Sequence, residues 1–198
     1  MLKVIDMLSK VSKKGAEILE SYGKIDNTQI RQYEYGFELL ISTISTLCTI
    51  LILGLFGGYI SHAIIFLLYF VPIRIAAGGY HAKSYGRCFI LTNIIAIACV
   101  VTSRWLWIME SQYVEFFMVT ALVLVYKYIW DNAPIIPAKY RGKTKRYDVN
   151  RRYAHNVLII EVTFLVFLKF VYNRFTYTAI VTSYMVAIMM KLAKKGGE

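Results

Sequence analysis

Six mostly apolar runs recur along the chain, at 36–57, 59–77, 89–109, 114–130, 155–173 and 175–192. Each is close to the ~20 residues that an α-helix needs to cross a hydrocarbon core of about 30 Å. Lipid offers the backbone no hydrogen-bond partner, so a crossing segment must satisfy its own N–H and C=O groups, and continuous runs of this length do so as helices. The whole chain is 58% hydrophobic, above the ~45–50% of ordinary soluble domains. The expected fold class is therefore an all-α polytopic membrane protein with about six transmembrane helices.

An N-terminal amphipathic interfacial helix is expected ahead of them. Leu2, Ile5, Leu8 and Val11 follow a spacing of three, with Lys3, Lys10, Lys13 and Lys14 filling the opposite side. That pattern suits a helix lying on the membrane surface, or one packed on the rest of the protein. Gly23, Asp26 and Asn27 mark a turn after it. The organisation expected is an amphipathic segment at 1–28 and a single transmembrane domain at 29–198. No compact apolar core with a cleavage site opens the chain, so the N-terminus is expected to be retained.

The net charge of +11 would suggest nucleic acid in a soluble protein. Its distribution points to the bilayer instead. Lys and Arg number six in residues 1–35, three in 71–88, seven in 131–152 and three in 191–198, whereas the turns at 57–59, 110–113 and 173–174 hold only Arg174. Basic and nearly uncharged connections alternate, as the positive-inside tendency expects. Both termini and the 71–88 stretch are thus expected on the cytoplasmic side of a cell membrane, with anionic lipid as a partner and no nucleic acid. Pro134 and Pro137 should stop the helix of the fourth run.

Reactive side chains gather in one place, Arg74-Ile-Ala-Ala-Gly-Gly-Tyr-His-Ala-Lys-Ser-Tyr-Gly-Arg-Cys88. A thiol and an imidazole form a nucleophile–base pair when they meet. His81 and Cys88 are seven residues apart, about 10.5 Å on a straight helix at ~1.5 Å per residue. The segment must fold back for them to touch, and Gly78, Gly79 and Gly86 permit backbone angles closed to other residues. A helix beginning near Cys88 would set unpaired N–H groups beside the sulfur. Cys48 and Cys99 lie inside apolar runs and read as small core residues. No disulfide framework, no metal-ligand spacing and no cofactor motif is present, so metal and cofactors are expected to be none. His62 lies near the uncharged turn and reads as structural, and His155 follows the basic connection.

Arg74, Gly78-Gly79, His81-Ala82 and Cys88, together with Tyr35-Gly36-Phe37-Glu38 and the basic connection after the fourth run, resemble the accessory gene regulator B family of membrane cysteine endopeptidases. The resemblance covers most of the chain. It implies that Cys88 is the nucleophile and His81 its base, with Arg74 and Gly79 as supporting residues. It also implies cleavage of a quorum-sensing propeptide that carries an amphipathic helix and an acidic tail, formation of a cyclic thiolactone or lactone product, and a homodimer.

The connection bearing Lys139, Arg141, Lys143, Lys145 and Arg146 reads either as a solvated positive loop or as the dock for that acidic tail. Arg74 reads as a snorkelling arginine, a salt-bridge partner or a carboxylate binder. A third group to orient His81 is open among Glu34, Glu38, Asp131 and Asp148. The competing class is a non-enzymatic small membrane transporter or scaffold, which would pair charged residues across spans near the midplane.

Overall fold

The computed structural model describes residues 2–77, 85–109, 111–135 and 144–195, with the side chains of 2–9, 39, 85–87, 144–146 and 195 left undescribed. The described residues are all-α, as expected. The helices are α1 (Leu2–Ser21), α2 (Ile30–Phe56), α3 (Ile60–Ala77), α4 (Tyr85–Met109), α5 (Gln112–Asn132), α6 (Thr144–Val171) and α7 (Asn173–Lys195), and a single 3-10 turn at Asn27–Gln29 leads into α2. Helices α2 to α7 are long and apolar enough to cross a membrane. The molecule divides into two compact units, residues 1–52 with 82–94, and residues 53–81 with 95–198.

In the first unit α1 turns a narrow face inward. Ser12 and Ala16 are buried, and the missing side chain of Gly15 lets the Phe37 ring of α2 approach to within 3.4 Å of where a Cβ would stand. Lys10, Lys13, Lys14 and Glu17 are exposed, while Val11 and Ile18 are 57% and 48% exposed. The helix therefore has three faces: one packed, one apolar and uncovered, one charged. It packs on α2, as one of the two readings of the N-terminal segment expects, and it leaves an apolar flank uncovered. A Schellman motif ends it. Gly23 takes φ 63°, its N–H donates to Glu20 O at 2.8 Å, and Lys24 N–H donates to Leu19 O at 3.0 Å.

In the second unit α7 is the most enclosed of the spanning helices, with α3, α5 and α6 packed against it. Tyr69, Ile65, Leu168 and Ala179 form a core on which Phe164, Leu165 and Phe175 pack. Small residues let helices approach closely, as is usual in lipid: a Cβ on Gly54 would lie 2.7 Å from Ala63 Cβ. The expected turn at Gly57-Gly58 is present and repeats the motif of Gly23. Gly58 has φ 72°, and Tyr59 N–H donates to Gly54 O at 2.6 Å.

The apolar runs located the spans but not the helix ends. α2 starts at Ile30 rather than Gly36, and α6 starts at Thr144 rather than His155. Lys and Arg are good helix formers, so a helix continues past the lipid into water. Cys48 also departs from expectation: it is exposed on α2, not in a core, whereas Cys99 is buried.

Candidate active site

Cys88 is the fourth residue of α4 and half-buried. The helix begins at Tyr85, three residues ahead of it. The first N–H groups of a helix have no intrahelical acceptor, and the positive end of its dipole lies in the same turn. One turn further on, Thr92 Oγ1 donates to the Cys88 carbonyl at 2.9 Å. Next to it, Asn93 Nδ2 donates to Phe89 O at 2.8 Å.

Both Thr92 and Asn93 are buried, and Asn93 Oδ1 has no hydrogen-bond partner among the described residues. Sequence reasoning passed over this polar pair. The available signal was a polar Thr-Asn dipeptide four and five residues past the thiol, inside an apolar run.

Arg74 occupies the last turn of α3. Its guanidinium lies 5.2 Å from the centre of the Phe70 ring, an arrangement that holds a cation at an apolar surface. Three residues on, α3 ends at Ala77, whose carbonyl accepts from Ile135 N–H at 2.9 Å. This bond fastens the start of the basic connection to the end of α3. His81, Gly79, Lys139, Arg141 and Lys143 lie outside the described residues, and Lys145 and Arg146 are described only as backbone of the first turn of α6.

The other histidines are committed elsewhere. His62 Nδ1 is 2.8 Å from Thr178 Oγ1, and its ring meets Phe175 edge-on at 5.1 Å, which agrees with a structural role. His155 stacks on Trp130 at 3.7 Å and its Nε2 lies 3.1 Å from Trp130 O. Among the described residues no three His, Cys, Asp or Glu side chains gather as metal ligands would.

Three further ionisable residues are placed by the fold. Lys169 of α6 forms an ion pair with Glu115 of α5. Glu161, in the middle of the α6 span, is 4% exposed.

Comparison with known proteins identifies the family. The profile of the accessory gene regulator B family matches residues 12–192. A Clostridium perfringens (strain 13 / Type A) protein provisionally named AgrB-like protein 2 is 31% identical over 146 residues, covering 71% of this chain and 68% of its own. Another from the same strain, provisionally named AgrB-like protein 1, is 27% identical over 166 residues, covering 82% and 84%. A Clostridium acetobutylicum AgrB-like protein is 26% identical over 148 residues, covering 71% and 70%. No solved structure matches the chain. With the profile spanning nearly its whole length, the chain belongs to the accessory gene regulator B family, membrane proteins involved in the processing of quorum-sensing peptides.

Proposed function

We propose that the chain is an integral membrane cysteine endopeptidase that cleaves a quorum-sensing propeptide. The observation that carries the reading is the seat of Cys88, a half-buried thiol in the opening turn of a spanning helix. In the proposed reaction His81 takes the thiol proton as Cys88 Sγ attacks the scissile carbonyl. The oxyanion forms where α4 offers unpaired N–H groups. The C–N bond then breaks, and His81 returns the proton to the leaving amine. The resulting thioester on Cys88 is released when the substrate's own thiol or hydroxyl attacks it, giving a ring and the restored thiol. Proximity and exclusion of water favour ring closure over hydrolysis.

Six crossings put the ends of α3 and α5 and the starts of α4 and α6 on one side, with the chain termini. The basic connections support a cytoplasmic assignment for that side. Lys139, Arg141, Lys143, Lys145 and Arg146 are assigned to docking the acidic tail of the propeptide, with Arg74 and Gly79 supporting the site. A homodimer belongs to the same proposal.

The deciding experiment is incubation of the purified chain in lipid with a candidate propeptide, followed by mass spectrometry. Appearance of the released tail and a cyclic product, lost in Cys88→Ala, supports the reading. An intact propeptide with the wild-type chain refutes it. The transporter or scaffold reading gains one observation, the mid-span Glu161. The Lys169–Glu115 pair does not add to it, because both residues stand in the end turns of their helices.

A further inference from the structure

We propose that Glu161 anchors a binding site for a small monovalent alkali cation inside the helix bundle, with the hydroxyls of Tyr126 and Ser183 as its neighbouring donors. The proposal goes beyond peptide processing and does not depend on it.

The carboxyl group is the starting point. Glu161 is 4% exposed, and neither Oε1 nor Oε2 has a hydrogen-bond partner among the described residues. It stands ten residues before the end of α6, about 15 Å along the helix at ~1.5 Å per residue, which is the middle of a bilayer. An acidic group at that depth is costly and is ordinarily paired. Protonation removes the charge but adds a donor that would also need an acceptor. Among the described residues, the cations of these helices are engaged elsewhere or face outward. Lys169 pairs with Glu115, Arg104 stacks on Tyr59 and Arg174 on Phe175, and Lys127 is exposed. A single alkali cation neutralises the carboxylate and satisfies its lone pairs at once.

The surroundings supply hard oxygen atoms from three other helices. Tyr69 of α3 donates from its hydroxyl to the Glu161 backbone carbonyl at 3.1 Å. Tyr126 of α5 and Ser183 of α7 lie 3.2 Å apart, oxygen to oxygen. Helices α5 and α7 both pack against α6, the helix that carries Glu161. One carboxylate among hydroxyls, without thiol, imidazole or a second acid, suits a hard ion of single charge better than a transition metal.

A buried polar line continues from this point along α7 toward one end of the bundle. Next to Ser183, Thr182 Oγ1 donates to Thr178 O at 2.6 Å. Thr178 Oγ1 in turn lies 2.8 Å from His62 Nδ1, and His62 is two residues into α3. Buried hydroxyls thus follow α7 from the level of His62 to Ser183.

The test uses the full chain in a maltoside detergent. Its unfolding temperature is followed in sodium, potassium, lithium and choline chloride at equal ionic strength. Binding to the folded state alone raises that temperature saturably with ligand. The wild type should unfold at higher temperature in at least one alkali salt than in choline. Glu161→Gln should lose the difference, and Tyr126→Phe should move half-saturation to a several-fold higher concentration. Cys88→Ala should keep the full effect, which separates this site from the peptidase site. Retention of radioactive sodium by the wild type, competed by unlabelled alkali but not by choline, is the second readout if Glu161→Gln does not fold. Equal unfolding temperatures in all four salts overturn the proposal, as does full alkali dependence in Glu161→Gln or an unchanged response in Tyr126→Phe.

Discussion

Ile135 N–H donates to the carbonyl of Ala77 at 2.9 Å, joining the end of α3 to the segment that leaves α5. Ala77 directly precedes Gly78-Gly79, and Ile135 precedes the run from Lys139 to Arg146. The points at which the chain enters these two stretches, one assigned to catalysis and one to docking, are thereby tied by a main-chain bond. Ile135→Pro removes the donor. A typical hydrogen bond is worth about 0.5–1.5 kcal/mol net, so membrane insertion and overall folding should survive. Propeptide cleavage should fall several-fold. Cleavage at the wild-type rate would show that the tether is unimportant for the reaction.

The Gly54–Ala63 contact predicts a compensating pair. A Cβ on Gly54 would lie 2.7 Å from Ala63 Cβ, with Ile60 Cα at 3.3 Å. Gly54→Ala should destabilise the bundle by about 1–3 kcal/mol, the usual range for overpacking. Adding Ala63→Gly should recover part of that loss. Thermal unfolding of the two single variants and the double variant in detergent measures the coupling, and strict additivity would contradict the packing described.

Much of the fold was legible because apolar length is a direct physical demand of the bilayer. The runs that end at Gly57, Ala77 and Met109 stop within a residue of the ends of α2, α3 and α4. The helical character of Thr144 to Asn150 was hidden, since Lys145, Arg146 and Asp148 carry no apolar signal although such residues suit a helix in water. Which face of α7 is polar was also hidden. Thr178, Thr182 and Ser183 are buried against neighbouring helices, and hydropathy registers the presence of such residues but not their direction. At the site, the start of α4 was legible from the glycine-rich stretch before Cys88. The burial of Thr92 and Asn93 was not, because in sequence they read as interruptions of an apolar run.

Topology gives a direct test. Single cysteines at positions 58 and 143, introduced into a chain whose own cysteines are replaced, should label oppositely with a membrane-impermeant maleimide. Position 58 should react from outside intact cells and position 143 only after the membrane is opened. Labelling of position 143 from outside would invert the assignment.

The basic connection predicts a salt-sensitive binding step. Attraction between exposed charges is screened over about 8 Å at physiological ionic strength. Reversal of Lys143, Lys145 and Arg146 to Glu should weaken propeptide capture markedly and flatten its salt dependence, with Cys88 alkylation unchanged. Unaltered affinity in a properly inserted variant would remove the docking role.

The last prediction concerns the reacting groups. Cys88 is half-buried at the mouth of α4, Cys99 is fully enclosed and Cys48 faces outward from an apolar span. A water-soluble alkylating reagent should therefore modify Cys88 first, because Cys88 stands in the opening turn of its helix while Cys48 lies deep in an apolar span that such a reagent enters poorly. Cys88→Ser should lose nearly all cleavage, since a hydroxyl is a far weaker nucleophile at neutral pH. His81→Ala should lower turnover by about 10²–10⁴-fold, the usual worth of a general base, while leaving propeptide binding nearly intact. Gly79→Val should lower turnover too if the turn needs backbone angles that valine disfavours. When the substrate's ring-forming nucleophile is removed, an acyl adduct on Cys88 should accumulate and be visible by mass spectrometry. Cleavage by Cys88→Ala at the wild-type rate, in a preparation free of other peptidases, would end the assignment. Equal alkylation of Cys48 and Cys88 would instead show that the first turn of α4 gives the sulfur no special reactivity.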